Sequence, residues 1–274
     1  MAPKLCLVTG ATGGLGQAVA AALARRGAAV VLGCRDAARG EAARAAAQAA
    51  ASGPAPEWLP LDLASLAAVR QAAAGFAASH DRLDVLIHCA AVFRSQRETT
   101  PDGLERMFAT NHLGPFLLTH LLQPQLRAGA PSRVWVVTAP ATNRLNFDDL
   151  QGERRFSAFD AFGASKMANL LFAYAWARRW GGSEIQANAF HPGLIKSRLM
   201  QNANPLVRWL SQAAAAPPER AAEALADLAL APEYAAVNGQ FYSFRSPIAS
   251  NAYSHDMTVQ DRLWQESLRL SGLA

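Results

Sequence analysis

Gly10-Ala-Thr-Gly-Gly-Leu-Gly16 follows a short apolar run, Lys4-Leu-Cys-Leu-Val-Thr9, and opens the Ala-rich stretch Gln17 to Arg26. Glycines at 10, 14 and 16, set between a strand and a helix, let main-chain N–H groups approach a pyrophosphate, and the helix N-terminus adds a favourable partial charge. That strand-turn-helix context separates a dinucleotide site from a mere tight turn. Arg35 comes directly after a second apolar run, Ala28–Cys34. A guanidinium there suits a ribose 2′-phosphate, whereas a carboxylate would suit a 2′-hydroxyl, so the expected cofactor is NADP(H). Asp36 would reverse that preference if its side chain turned inward. Asp62-Leu63, closing a third run, is placed either to hold an adenine edge or to act as a turn or cap before a helix starting near Ser65.

The elements that must carry these residues alternate along the chain. Trp58–Leu61, Leu83–His88, Arg133–Thr138 and Glu184–Phe190 add four strand candidates separated by helical stretches, and Asn238–Ser243 offers a seventh. Strands alternating with helices predict an α/β, Rossmann-type doubly wound parallel sheet, here seven-stranded and in one domain spanning 1–274. A last helix is expected over 258–270. Between the sixth and seventh strands, 194–218 is irregular, with Met200, Leu206, Val207, Trp209 and Leu210 among amides. It reads as a substrate lid, or as a packed connecting loop, and its side chains suit a mainly apolar small-molecule partner.

A length of 274 residues suits one large domain. The net charge of +5 and pI near 9.5 come from scattered arginines, and no basic stripe is interleaved with stacking aromatics, so no nucleic-acid partner is expected. Cys6, Cys34 and Cys89 are odd in number and lack metal-ligand spacing. Neither a metal nor a disulfide framework is expected. Met1-Ala-Pro-Lys4 has no charged-then-apolar leader and no run reaches about 18 apolar residues, so the expectation is a soluble cytoplasmic protein, possible as a homodimer, without membrane partners.

Taken together, Thr9–Gly16, Cys34-Arg-Asp36, Leu61-Asp-Leu63, Asn111–Thr119, the Lys166 segment and His191-Pro-Gly193 resemble the short-chain dehydrogenase/reductase family, in its retinol dehydrogenase-like branch. Asp261-Arg-Leu-Trp-Gln-Glu-Ser267 resembles that branch's last helix, so the likeness runs along essentially the whole chain. The resemblance implies cofactor contacts from Gly10, Thr12, Gly13, Gly14, Leu15 and Gly16 in the first turn. It implies further contacts from Arg35, Asp62, Leu63 and Ala90, and from Lys166, Pro192, Gly193 and Ile195 on the nicotinamide side. It also implies a catalytic set of Asn, Ser, Tyr and Lys. Asn111 and Lys166 match that set, but the Tyr of the Tyr-x-x-x-Lys motif is Phe162, and the catalytic Ser position after the fifth strand is Ala139. The family's Asn-Asn-Ala-Gly is His88-Cys-Ala-Ala91.

In the family's chemistry the Tyr hydroxyl protonates the developing alkoxide, Lys lowers its pKa and holds the ribose, and Ser orients the carbonyl. Phe162 supplies no proton, and general acid catalysis is worth roughly 10²–10⁴ in rate. Phe162 and Lys166 still share one helix face, four residues apart. Thr138 is a candidate replacement for the Ser, although strand alternation turns it away from position 139. His88, Cys89 and His112 bear protons near strand ends and read first as packing residues. Asn143, Arg144, Asp148, Asp149 and Asp160 are expected to border the substrate pocket. Tyr-to-Phe and Ser-to-Ala are also the minimal changes that trap a substrate complex, but His88, Cys89 and Ala91 depart from the pattern as well, which favours natural divergence. Three functions fit: an atypical NADPH-dependent reductase of an iminium, quinone or enone; a non-redox cyclase or isomerase that keeps the pocket; and a catalytically silent NADP(H)-binding regulator.

Overall fold

The computed structural model describes residues 2–180, 184–196, 199–202, 209 and 215–274. Strands β1 (Leu5–Thr9), β2 (Ala29–Cys34), β3 (Glu57–Pro60) and β4 (Val85–His88) alternate with helices α1 (Gly14–Arg25), α2 (Ala37–Ala50) and α3 (Leu66–Ser79). A short turn of helix α4 (Arg106–Phe108) runs through a π-helical turn at Ala109–Leu113 into α5 (Gly114–Leu121), then α6 (Gln123–Ala128). The second half comprises β5 (Ser132–Val137), α7 (Ala158–Trp180), β6 (Ile185–His191), α8 (Glu219–Leu230), β7 (Phe241–Ser243), β8 (Ser246–Pro247) and α9 (Met257–Ser271).

The strands form one sheet in the order β3-β2-β1-β4-β5-β6-β7-β8, parallel throughout except for β7 with β8. It has eight strands where seven were expected. The extra one is a two-residue antiparallel return pairing Tyr242 with Pro247 and Ser243 with Ser246 through a turn in which Phe244 has φ +51°. Two residues have no periodicity to read, and proline is tolerated there because the strand lies at the sheet edge. The β1–β4 junction is where the strand order reverses, and an open α/β sheet binds its ligand outside the strand C-terminal ends at such a point.

Both faces of the sheet are buried along its central strands β1, β2, β4, β5 and β6, which explains why most of these read as apolar runs. Leu7, Val31, Leu86, Val134 and Ala187 face the layer built by α3, α5, α7 and α9, while Val8, Leu32, Ile87, Trp135 and Phe190 face α1, α2 and α8. Arg133, at the start of a strand candidate, is buried and donates to the Leu228 and Ala229 carbonyls at the end of α8. Of the stretch 194–218 read as a lid, most lies outside the described residues. In its described ends Ile195 bridges Ala216, and Leu194 is exposed.

His88 and His112 are buried in the α3–α9 layer and not at a solvent-facing strand end. Thr119 Oγ1 donates to the Pro115 carbonyl, so the 2.8 Å contact with His88 Nε2 has the imidazole donating. His112 Nε2 lies 2.9 Å from Ser267 Oγ, tying the π turn to α9 among Phe108, Phe116 and Phe172. Burial pushes both imidazoles down to about 3, and His120, ringed by Trp176, Trp180 and Trp264, to about 4. All three are therefore neutral in the fold at pH 7. Between the ordinary value of 6.5 and these lowered values the unfolded chain binds more protons, so stability is full above about 6.5 and is lost as pH falls towards 4. Unfolding measured near pH 5 is expected to take up about three protons from these residues. A denaturation midpoint that stays level from pH 7 to 4.5 would contradict this.

Candidate functional site

The glycine turn is enforced sterically. Gly10 has φ +67°, and a Cβ on it would sit 2.6 Å from the Ala90 Cα, so the turn closes directly on the chain leaving β4. A Cβ on Gly16 would lie 2.3 Å from the Gly10 carbonyl oxygen. Gly13 begins α1 with no side-chain cap, which leaves the first-turn N–H groups for an anion or solvent. Thr12, Gly14 and Leu15 share this turn, with Leu15 buried beneath it.

At the end of β2 the side chains of Arg35 and Asp36 differ in their hydrogen bonding. The Asp36 carboxylate accepts from the Arg39 backbone N–H at 2.8 Å and caps α2. Arg35 is exposed, and no partner for its guanidinium is found among the described residues. A second guanidinium, which the sequence reading did not single out, joins it: Arg39 Nη2 donates to the Thr12 carbonyl at 3.0 Å, beside the glycine turn. The available signal was its position in the first turn of α2, one helical turn past Arg35. Asp62 is a turn residue, not the helix cap: its Oδ1 accepts from the Ala64 N–H at 3.0 Å, while Ser65 caps α3. Leu63 is buried against the start of α5, where a Cβ on Gly114 would meet its carbonyl oxygen at 2.4 Å.

The centre of the site lies between β5, α7 and the π turn. Asn111 is buried, with its side chain fully used: Oδ1 accepts from Val92 N at 2.7 Å, and Nδ2 donates to the Val92 carbonyl and to Ser165 Oγ, both at 3.0 Å. It clamps the chain after β4 to α7. Lys166 is 5% exposed, and its Nζ has one long contact, 3.5 Å to the Val137 carbonyl, and lies 5.4 Å from the centroid of the Phe162 ring. Burial lowers this ammonium to about 8, partly offset by the nearby Cys89. Burial likewise raises the Cys89 thiol to about 12, so it stays protonated at neutral pH.

Thr138 continues the parity of Val134 and Val136 and faces α7, where its hydroxyl donates to the Lys166 carbonyl at 2.7 Å. That proton anchors the Lys166 turn. Ala139 follows, partly exposed, with nothing beyond a methyl group to present. Phe162 meets Phe93 edge-on at 5.7 Å, and Phe93 meets the half-exposed Phe159 at 5.2 Å, giving an aromatic wall. Phe93 and Phe159 were not foreseen, because residues from two distant segments make that wall. Pro192 and Gly193 lead out of β6, Gly193 with φ +73° packed 3.6 Å from the Phe244 ring for an added Cβ, and Ile195 follows.

Of the residues expected around the substrate, Asn143, Arg144, Asp149 and Asp160 gather instead round a separate hollow that none of Ala139, Phe162 or Lys166 lines, and Asp148 faces Arg262 at 3.7 Å.

Residues 4–207 match the family model described as short chain dehydrogenase. Human retinol dehydrogenase 14 is 38% identical over 98% of this chain and 87% of its own length, and human retinol dehydrogenase 13 is 37% identical over 98% and 85%. Among solved structures, an uncharacterised protein of Mycobacterium paratuberculosis superimposes with TM-score 0.80 at 31% identity over 99% of this chain and 94% of that one. The RhlG/NADP active-site complex of Pseudomonas aeruginosa superimposes with TM-score 0.71 at 26% identity, over 89% and 95%. The cytoplasmic placement expected from composition does not stand against these relatives, which are retinol dehydrogenases matched over nearly the whole chain. Composition and the lack of a long apolar run report only on spanning helices: among the described residues no helix is long and apolar enough to cross a membrane. Motif order, sheet topology and whole-length similarity agree that the chain belongs to the short-chain dehydrogenase/reductase family, whose members are oxidoreductases that bind nicotinamide cofactors.

Proposed function

We propose that this protein is an NADPH-dependent reductase of a neutral, conjugated and mainly apolar acceptor, a quinone or an enone, working without the family's tyrosine acid. The observation that carries the reading is the Lys166–Phe162 pair: a buried ammonium set 5.4 Å from an aromatic ring at the position where the family has a phenol. NADPH, when bound, supplies a hydride. The uncapped start of α1 and the glycine turn suit its pyrophosphate, and Arg35, free while Asp36 is spent on capping α2, suits the 2′-phosphate, with Arg39 alongside. Lys166 suits the nicotinamide ribose, since a buried ammonium with one 3.5 Å contact has hydrogen-bonding capacity left over.

The acceptor class follows from charge. With its pKa lowered only to about 8, Lys166 remains mostly an ammonium at pH 7 and disfavours a cationic iminium beside it. A neutral carbonyl conjugated to a carbon–carbon double bond is favoured by the same positive charge; after hydride addition an enone's enolate takes its proton at carbon from water, and a quinone's phenolate takes its proton at oxygen from water. Phe93, Phe159 and Phe162 offer a flat apolar wall against which such a system stacks.

The test is single-turnover reduction of quinone and enone panels with 4-deuterated NADPH. Stoichiometric loss of NADPH is the expected result, with deuterium retained on carbon in the enone product, whereas a hydroquinone exchanges its label with water. Turnover without NADPH loss would replace the reading with non-redox chemistry such as cyclisation, and NADPH binding without any turnover would leave a nucleotide sensor.

A further inference from the structure

A hollow of about 400 Å³ lies beside the start of α7, within the size range of small-molecule sites. Its α7 contributors, Asp160, Ala161 and Ala164, lie on a different helix face from Phe162 and Lys166, so α7 separates it from the nicotinamide side. Its opposite wall is the segment between β5 and α7, held tightly on the helix because a Cβ on Gly163 would fall 1.9 Å from Asn143 Oδ1. Phe108, Leu150 and Phe156 join the two alanines as an apolar floor.

The polar rim is unbalanced. Its acceptors are mostly consumed by backbone N–H groups: Glu105 accepts from Met107 and Phe108 at 2.8 and 2.6 Å, and Asp149 from Glu153, Arg154 and Arg155 at 2.7 to 3.2 Å. Gln151 Oε1 accepts from Glu105 N at 2.8 Å, yet its Nε2 is buried with no partner. No hydrogen bond or ion pair of the Arg155 guanidinium is found among the described residues, and Arg144 only stacks over the Tyr253 ring at 5.3 Å. Of the three acids Asp160 keeps the most spare capacity, accepting only a 3.4 Å contact from Asn143. Unused donors above an apolar floor call for an acceptor-rich, negatively charged head on an apolar body.

We propose that this hollow is a second ligand site, separate from the nicotinamide site, that binds a small carboxylate with a planar apolar body, its carboxylate held by Arg155. Asp160 opposes the ligand's charge at the other end of the rim.

Calorimetric titration of the full chain with 2-naphthoate tests it, with naphthalene-2-methanol as the neutral analogue. Saturable one-to-one binding of the acid is expected, at least about tenfold tighter than of the alcohol, consistent with a charge-assisted contact. Arg155→Gln, an exposed change with no folding role, should weaken the acid about tenfold or more, Asp160→Asn should tighten it, and Ala164→Phe should abolish it by filling the floor. NADPH titrations should be the same for all three variants and the wild type. Absence of naphthoate binding, equal affinity for acid and alcohol, indifference to Arg155→Gln, or displacement of naphthoate by NADPH would each overturn the proposal.

Discussion

Replacing Phe162 by Tyr and Ala139 by Ser together is expected to raise kcat/KM for NADPH-dependent reduction of a plain, unconjugated aldehyde by about 10²–10⁴, the range a positioned general acid supplies. The scaffold for that gain is present. Lys166 Nζ stands 5.4 Å from the ring that would carry the new hydroxyl, Thr138 holds the Lys166 carbonyl at 2.7 Å, and Asn111 ties the same helix to the chain after β4. Most of the gain should come from the tyrosine, because an alkoxide leaving the active site unprotonated is the larger deficit, and the serine only orients the carbonyl. Adding Lys166→Met to the double variant should remove the gain, since a phenol without its ammonium neighbour has its pKa near 10, too weak an acid to be tuned to neutral pH. Steady-state kinetics with separate NADPH titrations decide it. Tight NADPH binding with no aldehyde reduction would mean that the pocket itself, and not only its acid, has diverged.

Loss of the free guanidinium at position 35 is expected to shift cofactor preference more than any other single change. Arg35→Gln should weaken NADPH about 10- to 150-fold, the equivalent of one charge-assisted hydrogen bond of about 1.5–3 kcal/mol, and leave NADH within about twofold. Arg39→Gln should have a smaller effect, because one of its N–H groups is already committed to the Thr12 carbonyl. The control is Asp36→Ala. As the cap of α2, Asp36 contributes about 1 kcal/mol to stability and nothing to nucleotide choice, so its loss should lower the melting temperature with the NADPH-to-NADH ratio unchanged. Nicotinamide fluorescence titrations of these variants check all of this together. A large rise in that ratio on removing Asp36 would mean that its carboxylate reaches the ribose after all.

Much of this protein is local in origin and therefore readable along the chain. The glycine turn, Arg35 and the Phe162–Lys166 spacing depend on neighbours within a helical turn or a strand end, and continuous apolar runs such as Leu5–Thr9 can be buried on both faces only inside a parallel sheet. What the chain could not show was how side chains divide their hydrogen bonds among distant partners. Arg35 was preferred over the adjacent Asp36 on residue type alone, and the chain did not show that α2 takes the Asp36 carboxylate as its cap. His88 and His112 look like proton carriers by type, yet folding buries them against Thr119 and Ser267, and that burial keeps them neutral. The residues between Ala139 and Phe162 were assigned to the substrate side by sequence proximity, but a helix has several faces, and packing set Asn143 and Asp160 round the hollow beside Ala164 instead. Residue type and short spacing determined the kind of fold and which atoms were absent from its centre; only tertiary packing decided which of the remaining polar atoms were left free to act.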